Sequence, residues 1–148
     1  MNRFCVILFL ILFFLKAFSI PRVMTFEAHQ GAIYSLAFSP NNKFLVSGGF
    51  DKNAIVWDIL GKAIVKSSGD MNGAVNAVAY SSNGLYFASG GADKKVTIWD
   101  AKTNSILFSL GPEEYHINSL AFSPNGKYIV AGTGVNIKIW DVQTGKVY

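Results

Sequence analysis

An eight-residue phrase occurs three times in this 148-residue chain at a fixed interval. Ile33-Tyr34-Ser35-Leu36-Ala37-Phe38-Ser39-Pro40 returns as Val75-Asn76-Ala77-Val78-Ala79-Tyr80-Ser81-Ser82 and as Ile117-Asn118-Ser119-Leu120-Ala121-Phe122-Ser123-Pro124, 42 residues later each time. A second phrase keeps the same rhythm: Ile55-Val56-Trp57-Asp58, Thr97-Ile98-Trp99-Asp100 and Lys138-Ile139-Trp140-Asp141, at spacings of 42 and 41. A repeat of that length is one supersecondary unit. It cannot bury its apolar surface alone and must stack on its neighbours.

Each unit reads as short strands. The apolar segments run four to seven residues, are rich in Val, Ile, Phe and Tyr, and are bounded by Gly, Pro, Asn and Asp. Ser39-Pro40-Asn41-Asn42, Ser81-Ser82-Asn83-Gly84 and Ser123-Pro124-Asn125-Gly126 predict hairpin turns. Pro presets the first central dihedral, and Asn or Gly takes the left-handed position that follows. Phe44–Ser47, Tyr86–Ser89 and Tyr128–Ala131 are the return strands. Alternation along the first strand puts Leu36 and Phe38 on one face, Ile33 and Ala37 on the other, so neither face is polar. A sheet of that kind needs cover on both sides. No helical period of useful length appears after residue 20, which leaves other copies of the same sheet as the cover.

The period, the span from His29 to Trp57-Asp58 and the paired glycines Gly48-Gly49 and Gly90-Gly91 resemble the WD-repeat β-propeller family over about Val23 to Tyr148. The resemblance implies an all-β partial propeller of three four-stranded antiparallel blades, preceded by an N-terminal hydrophobic helix. The expected layout is a signal-like segment at 1–19, a linker and outer strand at 20–31, and blades at 32–68, 69–110 and 111–148. In that family the outermost strand of a blade comes from the start of the next repeat. Val23–Phe26, Ala63–Ser67 and Ile106–Leu110 would be such strands, and Val147-Tyr148 would begin one more.

His29, Ser47 and Asp51 are the residue types of nucleophilic hydrolysis. The resemblance implies another role for them: with Trp57 they form a buried network in which the Asp accepts from the His, the His meets the Ser, and the Ser reaches the indole N–H. Such a network stabilises only when every member is satisfied. Repeat two keeps Ser89, Asp93 and Trp99 but has Met71 at the His position; repeat three keeps Trp140, with Ala131 for the Ser and Glu113 for the His. Blade 1 is therefore predicted to be the most rigid and blade 3 the least. Phosphate loops, oxyanion signatures and metal-ligand spacings do not occur in the sequence, so neither catalysis nor a cofactor or metal is expected.

Composition limits the remaining classes. The chain is 51% hydrophobic and 15% charged, which excludes intrinsic disorder. Cys5 stands alone, so no intramolecular disulfide framework is available. Without Arg3 and Lys16, eleven cationic residues face nine acidic ones, a balance too even to call for nucleic acid. Met1-Asn2-Arg3, the apolar run Phe4–Leu15, and Ala17-Phe18-Ser19 have the layout of a secretory signal cleaved before Ile20. A membrane span needs about 20 apolar residues, and Lys16 interrupts this one. Three readings of the segment stay open: a signal, an anchor through residues 4–20 if uncleaved, or a translated stretch foreign to the repeat. A signal implies the secretory pathway, whereas the family resemblance implies the cytoplasm.

The resemblance implies a non-enzymatic scaffold for protein or peptide partners. Binding would use the face where the loop before the first strand meets the turn before the third. Tyr34, Asn76 and Asn118 lie there, with Phe50 and Ala92 in the turns and Gln30 and His116 at the margin. The alternatives are a secreted propeller binding a small molecule or sugar, and a truncated product without independent function. Clustered carboxylates and Asn-x-Ser/Thr sequons are both missing, which counts against the first of these. Closed propellers use about 4–8 blades. Three blades leave two open faces, so further blades are expected, in cis within a longer protein or by self-association.

Overall fold

The three Ser-x-Asn turns set the frame of the molecule. In the computed structural model, which describes residues 23–148, Asn42, Gly84 and Gly126 take φ values of 58°, 71° and 68°. In each turn the serine hydroxyl donates to the Asn Oδ1 two residues on and accepts the amide of Phe44, Tyr86 or Tyr128. A short polar clamp therefore starts every return strand.

Eleven strands follow among the described residues. β1 (Ile33–Phe38), β2 (Phe44–Gly49), β3 (Ala54–Asp58) and β4 (Ala63–Ser67) form blade 1. β5 (Val75–Tyr80), β6 (Tyr86–Gly91), β7 (Val96–Asp100) and β8 (Ile106–Leu110) form blade 2, and β9 (Ile117–Phe122), β10 (Tyr128–Thr133) and β11 (Asn136–Asp141) form blade 3. All neighbours pair antiparallel in chain order, giving two four-stranded sheets and one of three. A fourth strand of blade 3 is begun by one bridge, Trp140 to Val147. The Asp of each Trp-Asp pair caps the turn that follows: Asp58 accepts from Gly61 N, Asp100 from Thr103 N and Asp141 from Thr144 N, at 2.7–2.9 Å. The Thr103 and Thr144 amides hold the carboxyls of Asp100 and Asp141 below the usual carboxylate range.

Two expectations need correction. Val23–Phe26 is not a strand. Among the described residues it pairs with none of the three sheets. Phe26 instead packs its ring 5.4 Å from that of Trp57. Second, strict alternation fails in the first strand, because a bulge shifts the register between Ile33 and Ser35, and again between Val75 and Ala77. It puts Val75 on the same face as Val78, both against Gly48, and so groups Ile33 with Leu36 and Phe38. The helix expected over 1–19 lies outside the described residues.

Two cores hold the blades together. Val46, Ala54 and Val56 of blade 1 meet Val75, Val78, Phe87 and Trp99 of blade 2. Ala88, Val96, Ile98 and Leu110 of blade 2 meet Ile117, Ile129 and Ala131 of blade 3. Blade 2 is thus covered on both sides, while blades 1 and 3 are each covered on one.

Candidate functional site

Blade 1 carries a continuous polar ladder from its loop to its third strand. Asp51, in the β2–β3 turn, takes His29 Nδ1 at 2.9 Å on both carboxylate oxygens. His29 Nε2 lies 2.7 Å from Ser47 Oγ on β2, and that oxygen accepts Trp57 Nε1 from β3 at 2.7 Å. Burial alone would raise the Asp51 carboxyl. The amides of Gln30 and Asn53 and the His29 ring outweigh it and hold the group below its usual range. Ser47 is 1% exposed, and its oxygen is enclosed between an imidazole and an indole.

Blade 2 keeps half of the ladder. Trp99 Nε1 donates to Ser89 Oγ at 3.1 Å, and that hydroxyl turns to Met71 Sδ at 3.7 Å. A thioether is a weak acceptor. Burial pushes the Asp93 carboxyl up, offset in part by the Lys95 amide and charge. In blade 3 the Ser position is Ala131, so Trp140 has no hydroxyl below it. Glu113, at the His position and only 7% exposed, pairs instead with the Lys138 ammonium from β11. The sequence marks Glu113 only as the residue at the His position and gives no sign of Lys138 as its partner, because the two positions meet only in space.

The upper loops bring some of the nominated binding residues together and separate others. Tyr34 and Phe50 are both exposed and meet edge to face, centroids 6.4 Å apart. Phe50 N donates to Ala32 O at 2.8 Å, which ties the two loops together. The equivalent bond joins Ala92 N to Ala74 O, but Ala92 is half-buried and offers little surface. Asn76 is spent on the fold, its Nδ2 donating to Ile117 O of blade 3 at 3.0 Å. Asn118 and His116 line a shallow cleft with Lys94, Glu114 and Tyr115, away from the aromatic pair. Gln30 is exposed, and its amide N–H is held by Asp51.

Comparison with known proteins agrees with this architecture. A family model described as "WD domain, G-beta repeat" matches residues 21–58, 62–100 and 104–141. The periodic tryptophan protein 2 homolog of Neurospora crassa is 44% identical over 36 residues, which are 24% of this chain and 4% of that protein. Among solved structures, the RRP9 WD40 repeats superpose with a TM-score of 0.80 at 22% identity, over 84% of this chain and 40% of that one. U3-55K superposes at 0.79 with 23% identity and the same coverage. At such identities the likeness is one of fold, and the chain spans 40% of the length of these structures. Each of the three matched stretches ends on the Asp of a Trp-Asp pair, and the chain belongs to the WD40 repeat family.

Proposed function

We propose that this chain is a non-enzymatic scaffold segment, with blades at 32–68, 69–110 and 111–148, that captures protein or peptide partners at Tyr34 and Phe50. The observation that carries the reading is the exposed aromatic pair, held in place by the Phe50–Ala32 backbone bond. Large aromatic side chains with little freedom to lose are effective anchors for a partner. The His29-Ser47-Asp51 ladder supports a structural role in this reading. A nucleophile must reach its substrate, and Ser47 is enclosed by Trp57 and His29.

Selection of a displayed random-peptide library on the immobilised chain tests the proposal. Recovered peptides should lose at least tenfold in affinity against Tyr34→Ala/Phe50→Ala, with the melting temperature unchanged. Peptides that bind both forms equally contradict it.

A further inference from the structure

The chain builds the joint between neighbouring blades twice, and at the end that carries the Ser-x-Asn turns one joint is filled and the other hollow. Between blades 2 and 3 the Phe108 ring of β8 lies against Gly145, in the turn after β11, and Val142 is buried beside them. A Cβ on Gly145 would come within 3.0 Å of that ring. Pairing of β3 with β4 and of β7 with β8 puts Lys66 at the place of Phe108. The turn after β7 likewise has Asn104 at the place of Gly145 and Ala101 at that of Val142. A ring, and two methyl groups of a valine, are thus missing from the joint between blades 1 and 2.

What they leave is a recess of about 240 Å³ lined by Phe44, Val56, Val65, Ala101, Lys102 and Asn104. Both of its walls belong to blades of this chain. A second hollow of about 280 Å³, beside Pro40 and Tyr80, shares Phe44, Ala101 and Lys102 with it. Between blades 2 and 3 Ser82 Oγ donates to Pro124 O and ties the two turns together, whereas Pro40, at the Ser82 place in blade 1, has no hydroxyl to give. The turns and the strand that frame the recess carry exposed Lys43, Lys62, Lys66 and Lys102. Against these four stand Asp58 and Asp100, each half-buried and accepting hydrogen bonds from its own turn. Asn104 Oδ1 is buried in the wall and makes no hydrogen bond among the described residues.

We propose that this recess receives an acidic peptide segment of a protein partner. One large apolar side chain of the segment enters between Val56, Val65 and Ala101, and so supplies to this joint what Phe108 supplies to the next. Carboxylates on either side of it meet Lys66 and Lys102. A small rotation of the Asn104 amide offers its unused oxygen to a backbone N–H of the segment. The apolar contact gives the affinity, and the lysines fix the register and speed the encounter. Tyr34 and Phe50 lie at the opposite end of the strands, so the inference stands apart from the aromatic pair, and the two sites together let one chain hold two partners.

Fluorescence anisotropy with the full chain tests it. The probes are labelled peptides of Asp, Glu and Gly with one central Leu, Phe or Ala. The Leu and Phe peptides should bind, the Ala peptide should bind at least tenfold more weakly, and added salt should weaken all three. Lys66→Phe/Ala101→Val/Asn104→Gly copies the filled joint into the hollow one. That variant should melt no lower than the wild type and bind at least tenfold more weakly. Lys66→Glu/Lys102→Glu alters exposed positions, so it should keep the wild-type circular dichroism and lose as much. Tyr34→Ala/Phe50→Ala should bind these probes as the wild type does, and library selection on the filled variant reads the aromatic pair alone. Failure of the Leu and Phe peptides to bind overturns the proposal, whether the recess then holds a segment of this chain, a second copy or nothing. Binding that follows charge alone, with the Ala peptide or an RNA oligonucleotide held equally well, overturns it too. So does a filled variant that binds like the wild type.

Discussion

Trp57 and His29 meet on one oxygen atom. The indole N–H and the imidazole Nε2 each lie 2.7 Å from Ser47 Oγ, and that hydroxyl links a loop, a central strand and its neighbour. In blade 2 the same serine position, Ser89, holds the indole at 3.1 Å and has only a methionine sulfur beyond it.

Removing these hydroxyls should therefore have unequal effects. Ser47→Ala strands a buried indole N–H and an imidazole nitrogen, and an unsatisfied buried polar group costs about 1–3 kcal/mol. We expect a loss of about 3 kcal/mol there and about 1 kcal/mol for Ser89→Ala, read from urea unfolding midpoints. Equal losses would show that the imidazole adds nothing to the ladder.

The two turn aspartates should pull stability in opposite directions with pH. The folded-state pKa of Asp51 lies below its ordinary 3.8, so its contribution is complete above that value and is lost as pH falls through the lowered one. Asp93 is raised above 3.8, so its carboxyl favours the fold most at pH below that value and progressively less as pH rises through the raised one. Asp51→Asn should lower the melting temperature at pH 7 and flatten the acid limb of the stability profile. Asp93→Asn should raise the melting temperature at pH 7.

Blade 3 replaces the ladder with an ion pair, and that pair should be sensitive to the loss of one partner. Lys138→Ala leaves the nearly buried Glu113 carboxylate alone. Breaking a fully buried pair costs about 3–5 kcal/mol, and Lys138 is 40% exposed, so about 1–2 kcal/mol is expected. Adding Glu113→Gln should recover most of it, as measured by thermal unfolding.

Features fixed by local chemistry were legible in the sequence. Asn42, Gly84 and Gly126 announce their turns because few residues accept a positive φ. The outer strands Ala63–Ser67 and Ile106–Leu110 follow from the family resemblance, which implies a fourth strand for each blade. Alternation alone places Ile33 on the opposite face, because the bulge beside it depends on how β1 pairs with β2. Val23–Phe26 has strand-like residues but pairs with none of the sheets among the described residues. Glu113 and Lys138 lie 25 positions apart with no local pattern linking them. The spacing of Gly48 and Gly90 is a further signal for the joints between blades, and its meaning appears only with Val75 and Ile117 beside them.

Amide hydrogen exchange, read strand by strand, tests most directly whether packing between sheets holds this chain together. The ladder alone ranks blade 1 first, whereas cover on both faces ranks blade 2 first. We predict the slowest exchange in Tyr86–Gly91 and Val96–Asp100, with Phe44–Gly49 and Tyr128–Thr133 both faster. Slower exchange in either outer blade would contradict the account.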